Sequence, residues 1–175
     1  RINIPGKFNV SNSLAVVAVG RELGLSKRQI EEGIAALEEV EGRMNVIDEG
    51  QKFKVIVDYA STPDAFYKLF ESVRPVTKGK LIALFGSAGR RDESKRAIQG
   101  EIAGRYADEV ILTEEDDRDI DGNMILEQIA EGASKAGKIK DKDMFLILDR
   151  QQAINFAMTR AHSADDTVVL LGKGH

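Results

Sequence analysis

Five acids surround one arginine in Thr113-Glu114-Glu115-Asp116-Asp117-Arg118-Asp119. The carboxylates could hold an amino group and Arg118 a carboxylate, which is the pairing a zwitterionic ligand needs. The oxygen spacing of an EF-hand loop is missing, and read alone the run is equally a solvated charge cluster. A second stretch is Phe85-Gly86-Ser87-Ala88-Gly89-Arg90-Arg91-Asp92-Glu93-Ser94-Lys95-Arg96. Its small residues let backbone N–H groups approach an anion, and its arginines can grip a carboxylate or phosphate through two parallel hydrogen bonds. No Gly-Lys-Ser/Thr follows the glycines at Walker-loop spacing, and by itself the stretch is also a charged helix start. Asp58-Tyr59-Ala60-Ser61-Thr62-Pro63-Asp64 sets an acid after an apolar run, with Thr62 as an N-cap and Pro63 as a first helical residue. A helix N-terminus there attracts phosphate, although an ordinary strand-to-helix turn has the same composition. Leu171-Gly172-Lys173-Gly174-His175 closes the last apolar run with a Gly-Lys-Gly turn, a pattern of low specificity on its own.

These four stretches have a common setting. Short continuous apolar runs at 54–58, 80–85, 109–113, 144–148 and 167–171 suit strands covered on both faces. Helical spacing fills 63–73, 93–106, 124–136 and 151–161 between them. Strict alternation implies right-handed crossovers and a mostly parallel sheet, so the expected fold is a three-layer, Rossmann-like α/β domain. In such sheets ligands collect at the loops after the C-terminal ends of strands, where all four stretches fall. The first 40 residues differ: two helices over 12–23 and 27–37, the second capped by Ser26, have no strand of their own and read as the tail of another domain. Glu41-Gly42-Arg43 is the expected junction and hinge, followed by a first strand near 44–48.

Bulk properties narrow the partners. With 42% hydrophobic residues, 175 residues can bury one respectable core. A net charge of −4 with dispersed lysines and arginines leaves no footprint for nucleic acid. There is no cysteine, and two histidines are too few for a histidine metal cluster. His162 reads as a surface residue at a helix end. No apolar run approaches the roughly 20 residues that span a bilayer. The expectation is a cytoplasmic fragment of a longer chain, with small-molecule ligands and no metal site of its own.

The order and spacing of Gly6-Lys7-Phe8-Asn9-Val10-Ser11-Asn12-Ser13-Leu14-Ala15, Gly42-Arg43, Asp58 to Asp64, Phe85 to Arg96 and Leu171 to His175 resemble the Mur ligases along the whole chain. The best match is the branch that joins a diamino acid to UDP-N-acetylmuramoyl-L-alanyl-D-glutamate. Ala88 replaces a glycine of the family pattern Phe-Gly-x-Gly-Gly-x-Arg-Asp-x-x-Lys-Arg, and Ser61 replaces the histidine of Asp-Tyr-Ala-His-Thr-Pro-Asp. Glu115-Asp116-Asp117-Arg118 stands where enzymes selecting meso-diaminopimelate usually read Asp-Asn-Pro-Arg.

This resemblance implies that 1–40 ends a central ATP-binding domain and that 41–175 is the C-terminal domain touching ATP and the amino acid. It places Asn9 and Asn12 near the adenine, to which an amide offers both a donor and an acceptor. Arg43 and Asp58 would reach phosphates and ribose, Arg43 bringing a permanent charge. Arg91 would hold a carboxylate of the amino acid, and Glu115, Asp116, Arg118 and Gly172 would complete that site. Arg118 would take the distal carboxylate of meso-diaminopimelate, which lysine lacks. The implied reaction uses ATP and Mg²⁺: a substrate carboxylate becomes an acyl phosphate, and the amine then displaces phosphate. The Walker loop, magnesium ligands and UDP-binding domain would lie upstream, so this fragment alone would not turn over, and its partners include the rest of its own chain. Two other readings share some features. A folylpolyglutamate-synthetase-like ligase would share Asp58-Tyr59-Ala60 but has less reason to keep Arg91 with Arg118. A non-catalytic nucleotide-binding or interaction domain would accommodate Ser61 and Asp117.

Overall fold

A computed structural model describes residues 2–174, so His175 of the last motif lies outside the described residues. Two helices, α1 (Phe8–Glu22) and α2 (Lys27–Ala36), precede the sheet. Then follow β1 (Asn45–Ile47), β2 (Lys54–Asp58), α3 (Pro63–Val73), β3 (Leu81–Phe85), α4 (Ser94–Tyr106), β4 (Glu109–Leu112), α5 (Gly122–Lys135), β5 (Met144–Leu146), α6 (Arg150–Arg160) and β6 (Thr167–Leu171). The strand order is β1-β2-β6-β3-β4-β5, parallel throughout except for β1, which runs antiparallel along β2. The Rossmann-like α/β fold read from the sequence is the fold of the chain.

The unbroken apolar runs are explained by burial on both faces. Along β3, Leu81, Ala83 and Phe85 face the layer of α3, α4 and α5, while Ile82 and Leu84 face α6. Phe66 of α3 meets the Phe85 ring edge-on at 4.9 Å, and Ala153 and Ala157 of α6 fill the opposite layer. Helix starts follow local chemistry. Ser26 and Gln29 form a reciprocal capping box on α2, and Thr62 Oγ1 accepts the Ala65 N–H with Pro63 at the first position of α3. In contrast, α1 begins at Phe8, four residues before the expected start at 12. Its N-cap, Lys7, makes no capping bond, so no side chain marks the beginning. Strand β5 ends at Leu146 rather than 148, because the Leu148 carbonyl turns to accept from Glu114 N–H and Thr113 Oγ1.

Two features hold the helical layer and the lower edge of the sheet. A Cβ on Gly132 of α5 would overlap the Ala97 carbonyl oxygen of α4, and one on Gly100 would overlap that of Ile129, so these helices touch backbone to backbone. At the N-terminal end of β4, Glu109 is buried and bonded to Arg160 (2.7 and 2.8 Å) and Lys80 (2.8 Å). Burial works to raise the Glu109 carboxyl, but the Arg160 and Lys80 hydrogen bonds outweigh it and hold it below its ordinary 4.5.

Gly132→Val should destabilise the domain by about 1–3 kcal/mol, since the α4–α5 contact cannot open without moving the core; an unchanged melting midpoint would show that the helices can separate freely. The Glu109 cluster makes an acid-side prediction. A depressed folded pKa contributes stability in full above the unfolded value and loses it as pH falls through the folded one. The stability difference between wild type and Glu109→Gln should therefore be constant above 4.5 and shrink below it. A difference that does not change with pH in that range would remove the ion pairs as its source.

Candidate functional site

The parallel strands deliver their C-terminal ends to one rim, where two groups of the expected residues meet. Asn9 and Asn12 of α1, Arg43 of the junction and Asp58 at the end of β2 all line one cavity of about 560 Å³, with apolar walls from Ile4, Phe8 and Leu69. The amides are set in order: Asn9 Nδ2 donates to the Pro5 carbonyl at 2.6 Å, and Asn12 Nδ2 donates to Asn9 Oδ1 at 2.8 Å. Arg43 lies over the Tyr59 ring at 5.5 Å.

Asp58 is the organiser of this group. Its Oδ2 accepts the Met44 N–H at 2.8 Å and its Oδ1 accepts the Ala60 N–H at 2.7 Å, while its carbonyl accepts from Gly172 N–H at 3.2 Å. Met44 sits at φ +52°, a left-handed conformation uncommon for a side-chain-bearing residue, so the carboxylate fixes a strained turn beside Arg43. Burial raises the Asp58 carboxyl above its ordinary value, opposed by the two backbone donors and Arg43. Next to it, Gly42 lies at φ +70° and approaches Gly174 so closely that a Cβ would stand 2.7 Å from the Gly174 oxygen. The expected hinge thus touches the last loop.

The second group gathers across the ends of β3, β4 and β6. Gly89 N–H donates to the Asp116 carbonyl at 2.8 Å, joining the loop that carries Arg91 to the loop that carries Arg118. Arg91 is exposed and, among the described residues, has no hydrogen bond or ion pair. Gly172 stands at φ +90°, and a Cβ on it would come within 2.7 Å of Glu115 Oε2, so the acid closes directly on this backbone. Burial raises the Glu115 carboxyl, with Lys95, Arg150 and Lys173 pulling it back. Arg118 is already engaged, its Nε bonded to Asp116 Oδ2 at 2.7 Å. Ser61, in the place of the family histidine, lends only its carbonyl, which accepts from Lys95 Nζ at 2.9 Å.

Arg150 and Lys95 were not singled out by the sequence reading. Arg150 opens α6 straight after β5, the one rim loop whose composition is ordinary, so position after a strand was the only signal it offered. Among the described residues no group of three or more His, Cys, Asp or Glu side chains is arranged to hold a metal, and no helix is long and apolar enough to cross a membrane.

Residues 42–174 match the family described as Mur ligase, glutamate ligase domain. The chain belongs to the Mur ligase family. Over its whole length it is 49% identical to a UDP-N-acetylmuramyl-tripeptide synthetase of Roseiflexus sp. (strain RS-1), of which it spans 34%. A solved UDP-N-acetylmuramoyl-L-alanyl-D-glutamate–2,6-diaminopimelate ligase is 32% identical, superimposes with a TM-score of 0.68, and is covered over 35% of its length and all of this chain. A Mycobacterium tuberculosis folylpolyglutamate synthase complexed with ADP superimposes at 0.76 over 99% of this chain and 39% of that one, but at 16% identity it shows the fold alone. The chain therefore corresponds to about a third of the length of the Mur ligases it resembles.

Asp58→Asn tests the organising role. An amide presents an oxygen to only one of the two backbone donors, leaving the other facing an NH₂ group, at a cost of about 1–3 kcal/mol. A lower melting midpoint is expected. An unchanged midpoint would mean that Asp58 does not organise the turn.

Proposed function

We propose that the full-length protein bearing this chain is an ATP-dependent ligase that adds a diamino acid to UDP-N-acetylmuramoyl-L-alanyl-D-glutamate during peptidoglycan precursor synthesis in the cytoplasm. The observation that carries the reading is the 49% identity to a tripeptide synthetase along the entire chain. The geometry supports it. Asn9, Asn12, Arg43 and Asp58 share a cavity with the polar groups that a base and phosphates need, and Arg91, in the loop after β3, is exposed and among the described residues unpaired. Catalysis of this kind consists largely of positioning and charge neutralisation, which Arg43 serves on the phosphate side and Arg91 on the amino-acid side.

In this reading residues 1–40 finish a central ATP-binding domain, and the apolar side chains that α1 leaves exposed, Val10, Leu14, Val16 and Val19, face the rest of it. The magnesium ligands and the UDP-binding domain belong to that other part, so the chain alone holds half a site and does not turn over. The folylpolyglutamate-like alternative draws on fold alone and lacks the sequence identity.

The choice of amino acid turns on Arg118. An arginine there suits the distal carboxylate of meso-diaminopimelate. A second reading, lysine or another amino acid ending in an ammonium, is favoured by the Asp116–Arg118 ion pair, which occupies the guanidinium and leaves the loop acidic.

Phosphate release by the full-length protein, given ATP, Mg²⁺ and the UDP-muramoyl dipeptide, should require a diamino acid. If it requires meso-diaminopimelate, Arg118→Ala should lower kcat/KM about 10- to 100-fold, the loss of one charged contact. Release with lysine that ignores Arg118→Ala assigns the distal ammonium. Silence with every diamino acid would sink the ligase reading in favour of a non-catalytic nucleotide-binding domain.

A further inference from the structure

Arg150 lies in none of the four loops that the sequence marks out, yet it ties two of them together. Its Nη1 donates to the Glu114 carbonyl at 3.2 Å and its Nη2 to the Leu171 carbonyl at 3.0 Å. Those carbonyls stand at the C-terminal ends of β4 and β6, strands that do not touch because β3 lies between them. The β4 loop is also held to β3, where Thr113 N–H donates to the Phe85 carbonyl at 3.0 Å and the Asp116 carbonyl accepts from Gly89 N–H at 2.8 Å, and both loops are fastened outward. Glu114 N–H donates to the Leu148 carbonyl on the β5 side, and Gly172 N–H donates to the Asp58 carbonyl on the β2 side. Between the loops themselves, the described residues supply only a loose Lys173–Glu114 pair at 3.9 Å and the approach of Glu115 to Gly172.

One guanidinium therefore joins the β4 and β6 loops directly across the end of β3. A planar fork with donors in fixed directions can bridge two carbonyls at a defined separation, which a flexible ammonium cannot. The residues next to the bridged carbonyls, Glu115 and Gly172, are those assigned to the amino acid. Arg150 also comes from α6, on the opposite face of the sheet from α3, α4 and α5, so the brace ties the α6 layer to the rim.

We propose that Arg150 is a positioning residue for the incoming amino acid, holding the β4 and β6 loops at the separation its binding requires without touching it. The role assigned to the ligand rests on the ligase reading above; the brace itself does not.

The test uses the full-length protein with Arg150→Met and Arg150→Lys. In both variants, amide hydrogen exchange should rise in 113–119 and 171–174, and KM for the diamino acid should rise on the order of ten-fold while KM for ATP stays within about two-fold. Arg150→Lys keeps the charge beside Glu115 but not the fork, so it should resemble Arg150→Met. Restoration by lysine would overturn the brace in favour of a simple field effect. Unchanged exchange in the two loops would overturn it as well, as would parallel rises in both KM values. A wild-type protein that takes no diamino acid would strike the ligase reading, and the exchange measurement would still decide the brace.

Discussion

The Asp58 carboxylate spends one oxygen on Met44 and the other on Ala60, and the order of the whole rim descends from that arrangement. The Met44 bond crosses fourteen residues to capture the junction, so the segment carrying Arg43 leaves the helical tail in one direction only. The Ala60 bond sets the exit of β2 toward the Thr62 cap of α3. Asp58 then hands its carbonyl to Gly172, the residue against which Glu115 closes. A buried carboxylate is costly unless its lone pairs are met, and here backbone donors meet both oxygens. The same group borders the 560 Å³ cavity through its side chain and the Gly172 turn of the last loop through its main chain.

Close backbone approach is the other constraint. The α4–α5 pair can bring the loops before the two helices together because Gly100 and Gly132 let the helices touch without side chains between them. The fully buried Arg96 extends that contact to the rim: its Nη1 meets Gln128 of α5 at 2.5 Å and its Nη2 meets the Ala88 carbonyl at 3.2 Å. Glu93 lies 3.6 Å from Nη1 while Nε has no partner, a costly arrangement for a buried charge, and what it secures is the loop that presents Arg91. Packing of small residues in the helical layer thus becomes placement of a guanidinium at the rim.

Much of this was legible in the residues. The spans of β2, α3 and β6 follow directly from apolar runs and the Thr62-Pro63 cap, because burial on both faces and capping chemistry are local signals. The start of α1 was not legible, since nothing caps it. Within the site, residue types could be read but not their engagements. That Asp58 would be met by a left-handed Met44 and that Arg150 would bridge two loops are tertiary facts, each linking segments whose separation in sequence carries no pattern, while the Asp116–Arg118 bond is local but one of several pairings its loop allows. Arg150 shows the limit best: an arginine after an N-cap aspartate is unremarkable until the sheet order puts β3 between its two acceptors.

The acidic loop raises a question of charge that geometry helps to answer. Glu114 to Asp119 hold five carboxylates, yet the rim returns cations to them individually: Lys173 toward Glu114, Arg118 to Asp116, and Arg90 to Asp119 at 3.3 Å. Lys95, Arg150 and Lys173 together oppose the burial that raises Glu115. A charged ligand approaching these loops would meet a field that is already partly balanced, so its own charges would have to find the positions left open and not simply oppose a net sign. Arg91, in the loop after β3, is exposed and among the described residues has no hydrogen bond or ion pair, which leaves its guanidinium free to take a carboxylate. What lies opposite depends on whether Asp116 keeps or releases Arg118. A distal carboxylate would have to outcompete an ion pair within the loop, whereas a distal ammonium could approach the carboxylates with that pair intact. Under the proposed ligase function, selectivity at this rim would be a contest between an internal salt bridge and an external one, a difference in affinity that one residue pair can tip.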